Sequence, residues 1–133
     1  MKIIAYIDNG PDDHRVRVET EGVEKRLQIP AKEGGRGSAV NGGELLCLAL
    51  ATCYCNDLYR EAAKRGITID RVEVSVQAEF GGEGEPSRGV TYSAMVEADA
   101  SEDEIRDLIE YTDTVAEIHN TLRNSTNVWL QLQ

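Results

Sequence analysis

Three cysteines and two histidines are the side chains in this sequence best suited to act as nucleophiles, redox centres or metal ligands. The cysteines, Cys47, Cys53 and Cys55, all fall within one apolar stretch. A thiol attacks electrophiles and binds soft metals as its thiolate, so its surroundings decide whether it reacts. Spacing limits how the three cooperate. On a helix, Cys53 and Cys55 point about 200° apart around the axis. Cys47 and Cys53 stand roughly 9 Å apart along that axis, beyond the reach of a disulfide. The Cys-x-Cys pattern is therefore neither a redox pair nor a metal clip, and the plain reading of each cysteine is a small core residue. His14 and His119 lack ligand spacing, so no metal site is expected. Residues 31–43, AKEGGRGSAVNGG, include Gly35-Arg36-Gly37-Ser38 just ahead of the apolar stretch, where backbone N–H groups would attract an anion. The dinucleotide fingerprint and the Walker lysine are both missing, so this loop reads as a connector and no cofactor is expected.

The element that must carry the cysteines is residues 44–66, ELLCLALATCYCNDLYREAAKRG. Its first half is almost wholly apolar, rich in Leu, Ala and Cys and poor in β-branched residues, which predicts a helix. A helix apolar on every side needs cover on every side. After Cys55 the sequence predicts a polar face of Asp57, Arg60, Glu61, Lys64 and Arg65. Leu58, Tyr59, Ala62 and Ala63 continue the buried stripe. Gly66 is suited to close the helix in a left-handed conformation, with Ile67 folding back on the last turn. The expected rod has its first half inside the protein and its second half reaching water. Its apolar run is too short to span a bilayer.

The remaining elements follow from alternation and turn signals. Residues 2–7 read as a strand buried on both sides, 14–20 and 23–29 as two more, with Lys25 a misfit on the inner face. Residues 69–80 and 90–98 form a second hairpin, with Val72, Val74, Val76, Ala78 and Phe80 on the covered face of its first strand. Ser101 with Glu104 is a capping box opening a helix whose apolar stripe is Ile105, Leu108 and Ile109. Thr114 with Glu117 repeats that signature, and residues 127–133 alternate as a final strand. The predicted order is βββ–α–ββ–αα–β, an α+β fold in a single domain spanning 1–133.

The chain has 133 residues and a formal charge of −10, with 41% hydrophobic and 29% charged residues. One modest core suits that length. The acidic balance and the lack of a basic cluster argue against nucleic acid and anionic membranes as partners. MKIIAYIDNG has no hydrophobic leader, so a cytoplasmic location with reduced thiols is expected.

From Gly42 onward the sequence resembles a known family. GGELLCLALATCYCNDLYREAAKRGI is similar to the central-helix signature of the OsmC/Ohr superfamily of peroxide-responsive thiol proteins. That signature is a Pro- or Gly-led Glu-Leu-Leu, small apolar residues ending in Ala-x-Cys, and a charged tail closing in Arg/Lys-Gly-Ile. His119-Asn120-Thr121-Leu122 matches the end of the family's second motif, Cys-Pro-Val-x-x-Thr-Leu.

The resemblance implies an intertwined homodimer in which long central helices pack between two antiparallel sheets, the partner supplying the missing cover. It also implies reduction of organic hydroperoxides, with Cys53 as the attacking cysteine passing through a sulfenic acid. The sequence departs from the pattern at two places. The second motif's Cys-Pro falls on Ala116-Glu117, so there is no resolving thiol. The activating glutamate falls on Gly43, leaving Glu44 as the substitute, nine residues from Cys53 and about 180° around the helix. An arginine is expected to favour the thiolate, and Arg15, Arg17 and Arg36 are the candidates, with His119 a further residue that could approach the sulfur. Two functions remain: a one-cysteine hydroperoxide reductase using an external thiol reductant, or a non-catalytic homologue binding an apolar small molecule at the dimer interface.

Overall fold

The computed structural model describes residues 1–34 and 36–132; Gly35 of the glycine-rich loop and Gln133 of the expected final strand lie outside the described residues. The chain divides into two compact units, Met1–Leu45 and Leu46–Gln133.

The first unit is the expected meander. Strands β1 (Ile3–Asn9), β2 (His14–Thr20) and β3 (Val23–Leu27) form an antiparallel sheet in that order. Register places Ile7, Val16 and Leu27 in one row and Ala5, Val18 and Lys25 in the next, so Lys25 does interrupt an apolar face. β1 was expected to be covered on both sides. Instead Ile3 and Ile7 are more than half exposed, and so is Val23 on β3. Among the described residues of its own unit, the three-stranded sheet with β1 at its edge has no second layer to bury that face.

Helix α1 (Gly42–Lys64) follows. Asn41 and Glu44 cap its start reciprocally: Asn41 Oδ1 accepts the Glu44 N–H at 2.9 Å, and Glu44 Oε2 accepts the Asn41 N–H at 2.7 Å. Its end is the predicted one. Gly66 sits at φ +69°, its N–H reaching Ala63 O at 3.2 Å while the Ile67 N–H reaches Ala62 O at 2.9 Å. The distribution of burial reverses the expectation. The buried residues are Leu50, Tyr54, Asp57, Leu58, Glu61 and Ala62, mostly in the second half, whereas Leu48 in the apolar half is 60% exposed.

The second unit explains this. Strands β4 (Ile69–Phe80) and β5 (Ser87–Ala98) form a long antiparallel hairpin, and helices α2 (Glu102–Val115) and α3 (Glu117–Arg123) follow. Tyr54, Leu58 and Ala62 of α1 share a core with Val96, Leu108 and Ala116, lined by Val72, Val74, Tyr92, Ala94 and Ile105. Phe80 lies half-exposed at the end of β4 rather than on the covered face. Ser101 forms its capping box with Glu104 as predicted. The Thr114–Glu117 box does not form. Thr114 still belongs to α2, where its hydroxyl donates to Tyr111 O at 2.7 Å, and the chain turns at buried Ala116. Residues 127–132 form no strand here: they have no ladder partner, and Val128, Trp129, Leu130 and Leu132 are exposed. Among the described residues no helix is long and apolar enough to cross a membrane.

Candidate active site

Cys53, Asp57, Arg60, Glu61 and Lys64 recur at spacings of one or two turns, which brings them to one face of α1. α3 adds Glu117, its first residue, to that face. The Cys53 thiol donates to Asp57 Oδ2 at 3.3 Å, and Glu117 Oε2 is 3.9 Å from the sulfur. Arg60 ties the group together: Nη1 reaches Asp57 Oδ1 at 2.7 Å and Glu117 Oε1 at 3.1 Å, and Nε reaches Glu61 Oε1 at 2.9 Å. Lys64 Nζ meets the same Glu61 oxygen at 2.8 Å. Asp57 and Glu61 are nearly inaccessible, and buried carboxylates persist only when paired in this way.

The charges act on the thiol in a definite direction. Burial pushes the Cys53 thiol above its ordinary pKa; a backbone N–H at Ile118 opposes this, and the Asp57 and Glu117 carboxylates add to it. Burial likewise raises the Asp57 carboxyl, against the pull of the Cys53 hydrogen bond and the Arg60 guanidinium. Glu117 is held below the usual carboxylate range by its own backbone N–H and by Arg60. Glu61 is lowered by its bonds from Lys64 and Arg60. The arrangement is a thiol that holds its proton more tightly than usual, in contact with a carboxyl group whose proton affinity is also raised. Cys53, Asp57 and Glu117 also offer ligand atoms within 4.8 Å of one another, but the Arg60 guanidinium already lies against both carboxylates where a cation would compete.

The expected site residues distribute as follows. Cys53 is half-buried and centres the cluster. Glu44 is engaged as the helix cap, and the carboxylates on the sulfur are Asp57 and Glu117 instead. Arg15 pairs with Asp8 and Asp13, Arg17 pairs with Glu24 and lies over the Tyr6 ring, and Arg36 lies in the glycine-rich loop; all three belong to the first unit. His119 is not a surface residue. It is buried with its ring centroid 4.5 Å from that of Tyr92 and 5.5 Å from that of Tyr54, and among the described residues neither ring nitrogen has a hydrogen-bond partner. Burial, and Arg123 to a lesser degree, lower its pKa, while Asp113 raises it.

Asp57, Arg60 and Glu117 were missed because charged residues in a helical tail read as a solvated face. The usable signal was the placement of Asp57 and Arg60 four and seven residues after Cys53. Glu117 carried a weaker one, standing where the second motif has its proline.

Fold and site together define an α+β thiol protein whose cysteine is carried on a long helix. A family model described as OsmC-like protein matches residues 35–131, and the chain belongs to that family. Solved structures agree in fold. An OsmC-like protein from Mycoplasma pneumoniae superimposes with a TM-score of 0.66 at 19% identity, over 94% of this chain and 88% of that one. An organic hydroperoxide resistance protein OsmC from Legionella pneumophila gives 0.55 at 21% identity, covering 92% and 90%. The organic hydroperoxide resistance protein OhrB of Bacillus subtilis gives 0.55 at 20% identity, covering 99% and 96%. No curated protein sequence matches the chain.

Proposed function

We propose that this chain is a thiol-dependent organic hydroperoxide reductase working with one cysteine, Cys53, and an external thiol reductant. The observation that carries this reading is the 3.3 Å hydrogen bond from the Cys53 thiol to Asp57. A base in contact with the proton it must remove is the first requirement of an activated nucleophile. Asp57, raised by burial, is a stronger base than an exposed carboxylate, and takes the role first expected of Glu44. As Asp57 accepts the proton, the sulfur attacks the terminal oxygen of the hydroperoxide and the O–O bond breaks. The departing alkoxide recovers the proton from Asp57 and leaves as the alcohol, with Cys53 as a sulfenic acid. One external thiol then forms a mixed disulfide with release of water, and a second displaces Cys53 and departs as the disulfide. Ala116 offers no thiol to replace them. The names of the Legionella and Bacillus structures support the reaction class.

The same reading makes the protein a homodimer. A second copy would cover Ile3, Ile7, Val23, Leu48 and the apolar tail, which a single chain leaves exposed. Three unpaired cysteines suit a reducing compartment such as the cytoplasm. Consumption of cumene hydroperoxide with dithiothreitol, wild type against Cys53→Ser, tests the proposal. Loss of consumption in the variant is expected; equal rates would remove Cys53 from the chemistry.

A second reading, a non-catalytic homologue binding an apolar molecule at the dimer interface, is favoured by one observation: burial raises the thiol's pKa, and the groups facing the sulfur are carboxylates, which add to that rise, rather than a guanidinium. A sulfenic-acid trap that leaves Cys53 unlabelled after one equivalent of peroxide would support it.

A further inference from the structure

We propose that Glu117 determines which reactants reach Cys53, its carboxylate turning away anionic hydroperoxides and anionic thiols and leaving the sulfur to uncharged ones. This rests on the thiol chemistry proposed above and names its substrate class.

Two carboxylates approach the sulfur, but they are not equivalent. The Asp57 side chain is 5% exposed, whereas that of Glu117 is 64% exposed. A reagent arriving from solvent therefore meets Glu117, with its oxygen 3.9 Å from the sulfur, while Asp57 lies beneath. Glu117 is also fixed in place. It opens α3 directly after Ala116, whose side chain is fully buried and whose extended backbone (φ −73°, ψ 107°) turns the chain there. Arg60 does not cancel its charge, because one guanidinium serves Asp57, Glu61 and Glu117 at once. With Lys64 counted, three carboxylates face two cations, on a chain carrying −10 overall. A unit charge about 4 Å away in a watery setting changes an anion's access by roughly fivefold.

The test uses protein in which Cys47→Ser and Cys55→Ser leave Cys53 as the only thiol. Cys53 is alkylated with iodoacetamide, which is neutral, and with iodoacetate, which is anionic, and both rates are read by mass spectrometry. Both reagents need the same thiolate, so their rate ratio cancels the thiolate fraction and isolates the effect of charge. Glu117→Gln is expected to lower the amide-to-acetate ratio by roughly three- to tenfold. Raising the salt concentration should lower it with Glu117 intact. A ratio unmoved by the substitution overturns the proposal, and so does a ratio insensitive to salt, a measurement that needs no variant at position 117. No peroxide is present, so this result and the Cys53→Ser turnover result fail or succeed separately. Where turnover is seen, Glu117→Gln should gain on a fatty-acid hydroperoxide relative to cumene hydroperoxide.

Discussion

The Cys53 thiol and the Asp57 carboxylate meet one turn apart on α1, Sγ to Oδ2 at 3.3 Å, and burial raises the proton affinity of both. A nucleophile that rests protonated beside its base reacts only as the proton moves between them. In the proposed reaction that pairing makes the residue at 57 decisive for the sulfur.

Asp57→Asn should separate two effects. Loss of the negative charge makes the thiolate easier to form, so the pH midpoint of Cys53 alkylation by iodoacetamide should fall. The peroxide rate divided by the alkylation rate should drop by about tenfold or more, because the base and the proton donor to the leaving alkoxide are gone. A midpoint that fails to fall would show that the Asp57 charge does not hold the proton on the thiol.

His119 should govern part of the acid response. Its folded-state pKa lies below the ordinary value of about 6.5, so the unfolded chain binds the proton more readily. Stability from this group is complete above about pH 6.5 and is lost as pH falls through the depressed folded value. Asp57 acts in the opposite sense, since its raised carboxyl favours the folded chain on acidification. The His119→Phe variant isolates the first effect. Its urea midpoint should fall less than that of the wild type between pH 7.5 and 5, and parallel curves would refute the assignment. The groups facing the ring are Tyr54 on α1, Tyr92 on β5, Asp113 on α2 and Arg123 on α3.

Leu58→Ala removes a fully buried side chain from the core that joins α1 to the hairpin and α2. A loss of roughly 2–5 kcal/mol is expected in urea denaturation, with the slope unchanged. A loss below about 1 kcal/mol would mean that this cluster is not the core of the second unit.

Trp129 is the sole tryptophan and is 80% exposed in a single chain. If a second copy covers the tail, tryptophan emission should lie to the blue at micromolar concentration and move to the red on dilution, together with a halving of mass in ultracentrifugation. Red emission and a monomer mass at every concentration would exclude the homodimer.

The elements were largely legible in the sequence. Alternation marked β1 to β5 because strands half-covered on one face show period two, and the Ser101–Glu104 pair and Gly66 marked helix ends because end groups are satisfied locally. The Thr114–Glu117 pair carried the same local signature and failed, since α2 runs through Thr114 and Glu117 turns to Arg60. The strand expected at 127–133 has alternation but, through residue 132, no neighbour to pair with in a single chain.

The site divides in the same way. In the sequence, helix pitch excluded pairing of Cys53 with Cys47 or Cys55, and only the resemblance of the residues along that helix to the family marked Cys53 among the three cysteines. Which charges touch the sulfur was a matter for tertiary structure. Asp57, Arg60 and Glu61 have the composition of a solvated helix face; the core forms along the neighbouring Tyr54, Leu58 and Ala62 stripe, Asp57 and Glu61 are buried in the folded chain, and α3 brings Glu117, sixty-four residues away in sequence, to the thiol. The one-turn spacing of Cys53 and Asp57 is local, but the burial of both and the approach of Glu117, which also set the thiol's proton affinity, do not exist until distant segments have met.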